Sequence, residues 1–251
     1  MPRLKKSFLF VCALIFLAIG TAWGQSVNSV LSELDQNYYY PQKQGLKSVS
    51  ARVQWEQLDV ASGSGKYLRN PDFIFTWQAN SNEGLGKFSL AKEQEGDRFR
   101  ELIRQINPFR ELIIPLTLEQ KFFNHEGRVQ KGDKLLVRLN SKTESGGTYK
   151  LLVDPKEWVI RKLRLEQTHS PEDVKGEFRY IKLADKHAIS ESLSRFEVKG
   201  QEYVEVTRYK YKKVKGIWWV RRIDQTLKRG GQVMQTYVFK LSGIKPILSS
   251  H

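Results

Sequence analysis

The sequence predicts a mainly β protein of the α+β class: a single large curved antiparallel sheet with a few helices covering its concave face. Three observations predict it. From Leu46 onward, apolar side chains recur at every second position through most of the chain. Turn-forming connectors separate these runs at spacings of about 8–12 residues through the C-terminal half, as in antiparallel meanders. Helical spacing is confined to two segments, whereas a parallel sheet would need a crossover helix between successive strands.

The chain has 251 residues. Residues 1–6 are basic through Arg3, Lys5 and Lys6, and residues 8–19 are uniformly apolar. Gly20-Thr21 breaks that run, and Ala22-Trp23-Gly24 places small residues at the first and third positions. This order is that of a secretory signal peptide, residues 1–24, cleaved before Gln25. As a helix the apolar run rises only about 18 Å, against about 30 Å of bilayer core, so it is too short for an anchor. The expected location is the periplasm. The only cysteine, Cys12, leaves with the leader, which excludes disulfides, thiolate metal sites and cysteine catalysis. Loss of Arg3, Lys5 and Lys6 lowers the formal charge from +15 to +12.

The elements follow in order. Val27, Val30, Leu31 and Leu34 are at helical spacing over 26–36, and the loop Tyr38-Tyr39-Tyr40-Pro41 ends that helix. A strand over 46–55 turns Val49, Ala51, Val53 and Trp55 to one side and Ser48, Ser50, Arg52 and Gln54 to the other. After a Ser/Gly turn at 61–65, Phe73, Phe75 and Trp77 form the inner face of a second strand, and 85–90 is a third. Residues 97–114 return to three- and four-residue steps through Phe99, Leu102, Ile103, Ile106 and Phe109, interrupted at Pro108. Strand patterns resume over 135–139, 149–153, 158–165, 178–183, 196–198, 203–214, 217–227 and 233–241. Asp154-Pro155-Lys156, Lys199-Gly200, Lys215-Gly216 and Gly230-Gly231 are the expected hairpin connectors.

Catalytic patterns are absent. His125, His169, His187 and His251 show no metal-ligand spacing, and there is no nucleophile elbow, P-loop or dinucleotide fingerprint. No enzyme activity, cofactor or metal is expected. The 42 Lys and Arg against 27 Asp and Glu are spread along strands, as in Arg208, Lys210, Lys212, Lys213, Arg221 and Arg222, and form no basic tail. That distribution suits a solvated face meeting an anionic membrane surface or an envelope protein, and no nucleic acid partner is expected. The inner face carries more large apolar side chains than two or three helical pieces can cover, so Val49, Val53, Trp55, Phe73, Phe75 and Trp77 are the candidates to line a lipid-binding cavity. Ordinary core packing accounts equally well for about half of them. Trp218 and Trp219 must face opposite ways, one toward the core and one toward solvent or an interface.

The stretch 65–77, a glycine-led strand with a Pro step and an aromatic alternation ending in Trp77, resembles an early hairpin of the outer-membrane lipoprotein carrier (LolA-like) superfamily. The strand 46–55, the Asp154-turn hairpin within 149–163 and Lys215-Gly216-Ile217-Trp218 are also similar to that superfamily. The resemblance implies an unclosed β-barrel over residues 25–251, with helices lying across its mouth as a lid. It implies a periplasmic carrier that binds lipoprotein acyl chains or other lipid without chemistry, in trafficking to the outer membrane. It makes 99–113 the lid, with Leu102, Ile106 and Phe109 facing the cavity. The family's lid-latching arginine precedes the Pro; here Asn70 holds that place, and Arg69, one residue earlier, is the carry-over. The alternative on the same fold is an envelope sensor or interaction module that binds a protein or an anionic glycolipid.

Overall fold

The computed structural model describes residues 25–79, 84–92, 96–143 and 146–249. The expected leader, 1–24, lies outside the described residues. Thirteen strands form one antiparallel sheet: β1 (Leu46–Leu58), β2 (Tyr67–Arg69), β3 (Phe73–Gln78), β4 (Lys87–Leu90), β5 (His125–Gln130), β6 (Leu135–Ser141), β7 (Thr148–Asp154), β8 (Val159–Glu166), β9 (Asp173–Leu183), β10 (Lys186–Val198), β11 (Gln201–Val214), β12 (Ile217–Arg229) and β13 (Gln232–Leu248). From β5 to β13 each strand pairs with its successor in sequence. The last strand then pairs with the first, so the order is β4-β3-β1-β13-β12 and so on to β5, with β2 beside β1. The sheet does not close; β4 and β5 are its edges. The mainly β class, with one open antiparallel sheet and a few helices, is as the sequence predicts.

Local chemistry explains the meander. Lys199-Gly200, Lys215-Gly216 and Gly230-Gly231 all have positive φ at both central positions, and so do Ala184 and Asp185 between β9 and β10. That is the conformation of two-residue hairpin turns whose twist matches the flanking strands. Three strands escape the sequence pattern: the three-residue β2, most of β10, and β5. β10 was expected only over 196–198, but it begins at Lys186, because its middle presents Ser192 and Ser194 opposite Thr207 and Glu205 and so lacks apolar alternation. Ladders on both sides hold it. β5 pairs only with β6, and Glu126 and Arg128 mark it as a charged edge strand that discourages further pairing.

Helix α1 (Val27–Asn37) is capped by Ser26, whose hydroxyl accepts from Ser29 N at 3.1 Å. Helix α2 (Asp97–Ile106) stops before Pro108 and continues as a 3-10 segment, Asn107–Leu112. A single turn, α3 (Leu118–Lys121), has a capping box formed by Thr117 and Gln120. Among the described residues no helix is long and apolar enough to cross a membrane.

Two cores lie on the inner face. In the first, α2 and the 3-10 segment cover β1, β3, β4, β12 and β13 around Trp55, whose ring stacks on Phe239 at 5.9 Å and meets Phe73 and Phe109 at 6.3 and 6.5 Å. In the second, α1 and Phe122 cover β6, β7 and β8 through Val137, Leu139, Leu151 and Val153. A seam opens in the sheet above the first core. The β12–β13 ladder ends at Arg222–Lys240, after which β12 pairs only with β11 and β13 only with β1. Ile217 and Trp219, on this stretch of β12, are buried in the same cluster as Leu46 and Leu241.

Candidate functional site

Between the two cores the inner face is not filled. A cavity of about 330 Å³ lies there, at the small end of the roughly 300–1,000 Å³ usual for ligand pockets. Its floor is β8 to β12, through Ile160, Leu163, Phe178, Ile189 and Val220. Its roof is the loop Tyr38–Pro41 and the connector from Leu112 to Leu118.

The roof is held by short-range logic at the end of α1. Asp35 is only 2% exposed, and its carboxylate accepts from Tyr40 Oη at 2.5 Å, Leu118 N at 2.8 Å and Glu119 N at 3.0 Å. An acid at the first turn of α3 also complements that turn's free amides. Lys43 bonds the Asp35 carbonyl at 3.2 Å and sits 4.9 Å over the Tyr40 ring. Gln42 Nε2 donates to Pro115 O at 2.6 Å, tying the loop to the connector.

Six tyrosines line the cavity, and each hydroxyl is bound to the protein. Tyr180 donates to Ile160 O at 2.6 Å, Ile160 N donates to Tyr38 Oη at 2.7 Å, and the two hydroxyls are 3.2 Å apart, with the rings stacked at 5.7 Å. Trp218 N donates to Tyr39 Oη, and Tyr211 donates to Ile189 O, both at 2.7 Å. Tyr209 shares a bond with Ser192, and Tyr40 is held by Asp35. Burial pushes the Tyr38 and Tyr209 hydroxyls up to about 12 and raises those of Tyr40, Tyr180 and Tyr211 as well. They stay neutral and present ring faces to the interior. Glu111 and Lys121, at the rim, pair with each other at 2.8 Å.

The residues expected to line the cavity stand together, but elsewhere. Val49, Val53, Trp55, Phe73, Phe75 and Trp77 are all buried in the first core, under α2. Leu102, Ile106 and Phe109 do face inward from the helical segment, onto that same core. Arg69 is exposed on β2 and bonds Asp72 at 3.0 Å, clear of the cavity lining. Of the paired tryptophans, Trp219 is core and Trp218 lines the cavity. The tyrosine loop was missed as a site element. Its signal was three consecutive rings and a proline in a stretch with no helical or strand period, which only burial of a loop explains.

His187 of β10 lines the cavity and His125 of β5 packs against Phe122 and Tyr149; burial lowers the pKa of both from the usual 6.5, with Lys182 adding to the effect at His187. A histidine whose folded pKa is depressed binds fewer protons than in the unfolded chain, so its effect appears below pH 6.5 and lowers stability as pH falls. Glu205, raised by burial, has the opposite sign. Urea midpoints should therefore fall between pH 7 and 5 by more in the wild type than in the double variant His125→Gln/His187→Gln. Equal slopes would refute the assignment.

No family model matches the chain, and no match is found among the curated proteins. Solved structures do resemble it. A LolA superfamily protein from Nitrosomonas europaea aligns at 9% identity over 90% of this chain and 94% of its own, with a TM-score of 0.34. A DUF1329 family protein from Desulfovibrio piger aligns at 8% identity over 88% and 93%, with a TM-score of 0.42. A domain described as an outer membrane lipoprotein-sorting protein, from Vibrio parahaemolyticus, gives 8% identity over 86% and 90%, with a TM-score of 0.35. The superfamily that the sequence segments resemble is thus among the similar structures. At this level of similarity they say nothing of ligand or partner.

Proposed function

We propose that the protein is a non-catalytic carrier, exported to the periplasm, that shields an apolar chain of a lipid or lipoprotein in the cavity between the Tyr38–Pro41 roof and β8–β12. One observation carries the reading: apart from His187 and the paired Glu111 and Lys121, the cavity is lined by hydrocarbon and aromatic rings, and the tyrosine hydroxyls are already bound to protein. Such a lining offers an aqueous ligand little, while each methylene it removes from water contributes about 0.8 kcal/mol. The connector Leu112–Leu118 continues directly from α2 and its 3-10 segment, so displacement of that segment would unroof the cavity; this is the lid role expected of Leu102, Ile106 and Phe109. The rim pair Glu111–Lys121 is solvent-exposed and, at about 0–1 kcal/mol, a weak barrier to opening.

Delipidated protein should take up a fluorescent fatty acid. Leu163→Trp, which places a ring in the cavity from β8, should weaken that uptake about tenfold or more while leaving the fold intact by circular dichroism. Absence of uptake by the delipidated wild type would sink the carrier reading. The alternative of an interaction module has its own observation, since Tyr67 and Leu68 of β2 are 46% and 58% exposed. It predicts a protein that purifies from its envelope without lipid by native mass spectrometry.

A further inference from the structure

With the tyrosine hydroxyls engaged and Glu111 and Lys121 paired, two polar side chains of the lining make no side-chain hydrogen bond among the described residues, the indole of Trp218 and the imidazole of His187, and the imidazole is the more buried. It is 8% exposed. Its position is fixed from two sides: its carbonyl accepts from Tyr39 N at 2.8 Å, and its ring stands edge-on to Tyr180 at 6.0 Å. The ladder between β9 and β10 places Tyr180 opposite Ile189 and Lys182 opposite His187, so Lys182 stands on the same sheet face as His187 at the hairpin end, exposed and just outside the cavity lining.

The charges around the ring are few. Arg161 of β8 is occupied by Glu157 at 2.8 Å and Asp154 at 3.5 Å, whereas Lys182 has no carboxylate partner among the described residues. Tyr38, Tyr39 and Tyr180 are neutral. The unpaired ammonium is unfavourable to a proton on the imidazole and favourable to an anion beside it. An uncommitted N–H on a largely buried ring, near an unpaired cation at the margin of a mostly apolar cavity, is a head-group site.

We propose that His187 and Lys182 form the head-group subsite of the cavity, which selects a single-chain amphiphile with an anionic head, carboxylate or phosphate, over a neutral one of equal length. The neutral imidazole donates its N–H to a head-group oxygen, Lys182 supplies the charge, and the chain lies against Leu163 and Phe178 beneath the tyrosine roof. This rests on the carrier reading and names its ligand class.

The test is displacement of Nile red from the delipidated full-length protein at low salt by dodecanoate, dodecyl phosphate, dodecanol and methyl dodecanoate. In the wild type, at least one of the two anions should displace the dye at concentrations about tenfold or more below those of the alcohol and ester. A preference for dodecanoate assigns the head to a fatty acid, and one for dodecyl phosphate to a phospholipid-type head. H187F and K182Q should bring the anions to the level of the ester, and H187Q, which keeps a donor, should retain part of the preference. The Nile red affinity of each variant is measured first and displacement is read as the ratio of anion to ester within that variant, with circular dichroism showing that each still folds. Equal displacement by anions and neutral compounds in the wild type, or a preference that survives in H187F, would overturn the subsite and leave the carrier reading standing. Failure of the wild type to bind Nile red would remove both.

Discussion

Trp219→Ala is expected to lower stability by about 3–5 kcal/mol, and the neighbouring Trp218→Ala by far less, although the two residues are adjacent on one strand. The difference comes from the seam. Trp219 is 1% exposed and packs with Ile217 in the first core beyond the point where the β12–β13 ladder ends; β11 pairs with it on one side, but on the other no ladder strand stands ready to close the space. A void there cannot relax, and the cost of a large-to-small change grows with the volume left. Trp218 is only partly buried at the cavity wall, so its removal enlarges a space that already exists. Urea denaturation of the two variants checks this. Equal losses would mean that the space left by Trp219 does close. Trp218→Ala should instead alter Nile red binding.

The second large effect belongs to Asp35. Asp35→Ala is expected to cost about 3–5 kcal/mol, since it leaves the Tyr40 hydroxyl and two α3 amides without their charged acceptor in a buried place. For a chain of this size that is a fall in melting temperature on the order of 10 °C. Asp35→Asn keeps an acceptor oxygen but loses the charge, and should cost about 1–2 kcal/mol. Because Tyr40 and Leu118 line the cavity, Asp35→Ala should also loosen the roof, which faster exchange of bound fluorescent fatty acid would report. A loss under about 1 kcal/mol in the alanine variant would show that water replaces the carboxylate at no cost, and that the roof is not held from α1.

These two effects differ in how far they could be read from the sequence. That one of two adjacent tryptophans must be buried follows from strand geometry alone. Which one follows from the bulge and the loss of pairing near Arg222, which no local pattern announces. Asp35 sits among Leu31, Leu34 and Tyr38 like any polar residue at a helix end; its partners at Leu118 and Glu119 are far along the chain, and only docking of α3 turns it into a cap. The same holds for the cavity. Phe73, Phe75, Trp77 and Trp55 are the largest apolar alternation in the sequence, and so the natural candidates for an inner surface, yet α2 covers them. The cavity lining is drawn instead from the tyrosine loop, the 111–122 connector and six strands, with Tyr180, Tyr209 and Tyr211 contributed by β9 and β11.

By itself the sequence determined the open antiparallel meander. Residues able to take positive φ stand between alternating runs, and a two-residue turn allows only an antiparallel neighbour. It also determined the amphipathic helix that ends at Pro108, because helix period and proline chemistry are local. Only the tertiary structure decided that the last strand pairs with the first, that β12 and β13 part before Trp219, and that the helices leave a space over β8–β12. Those outcomes depend on register between strands distant in sequence and on which of several apolar faces the helices cover, choices made by the total area buried and not by any residue's own preference.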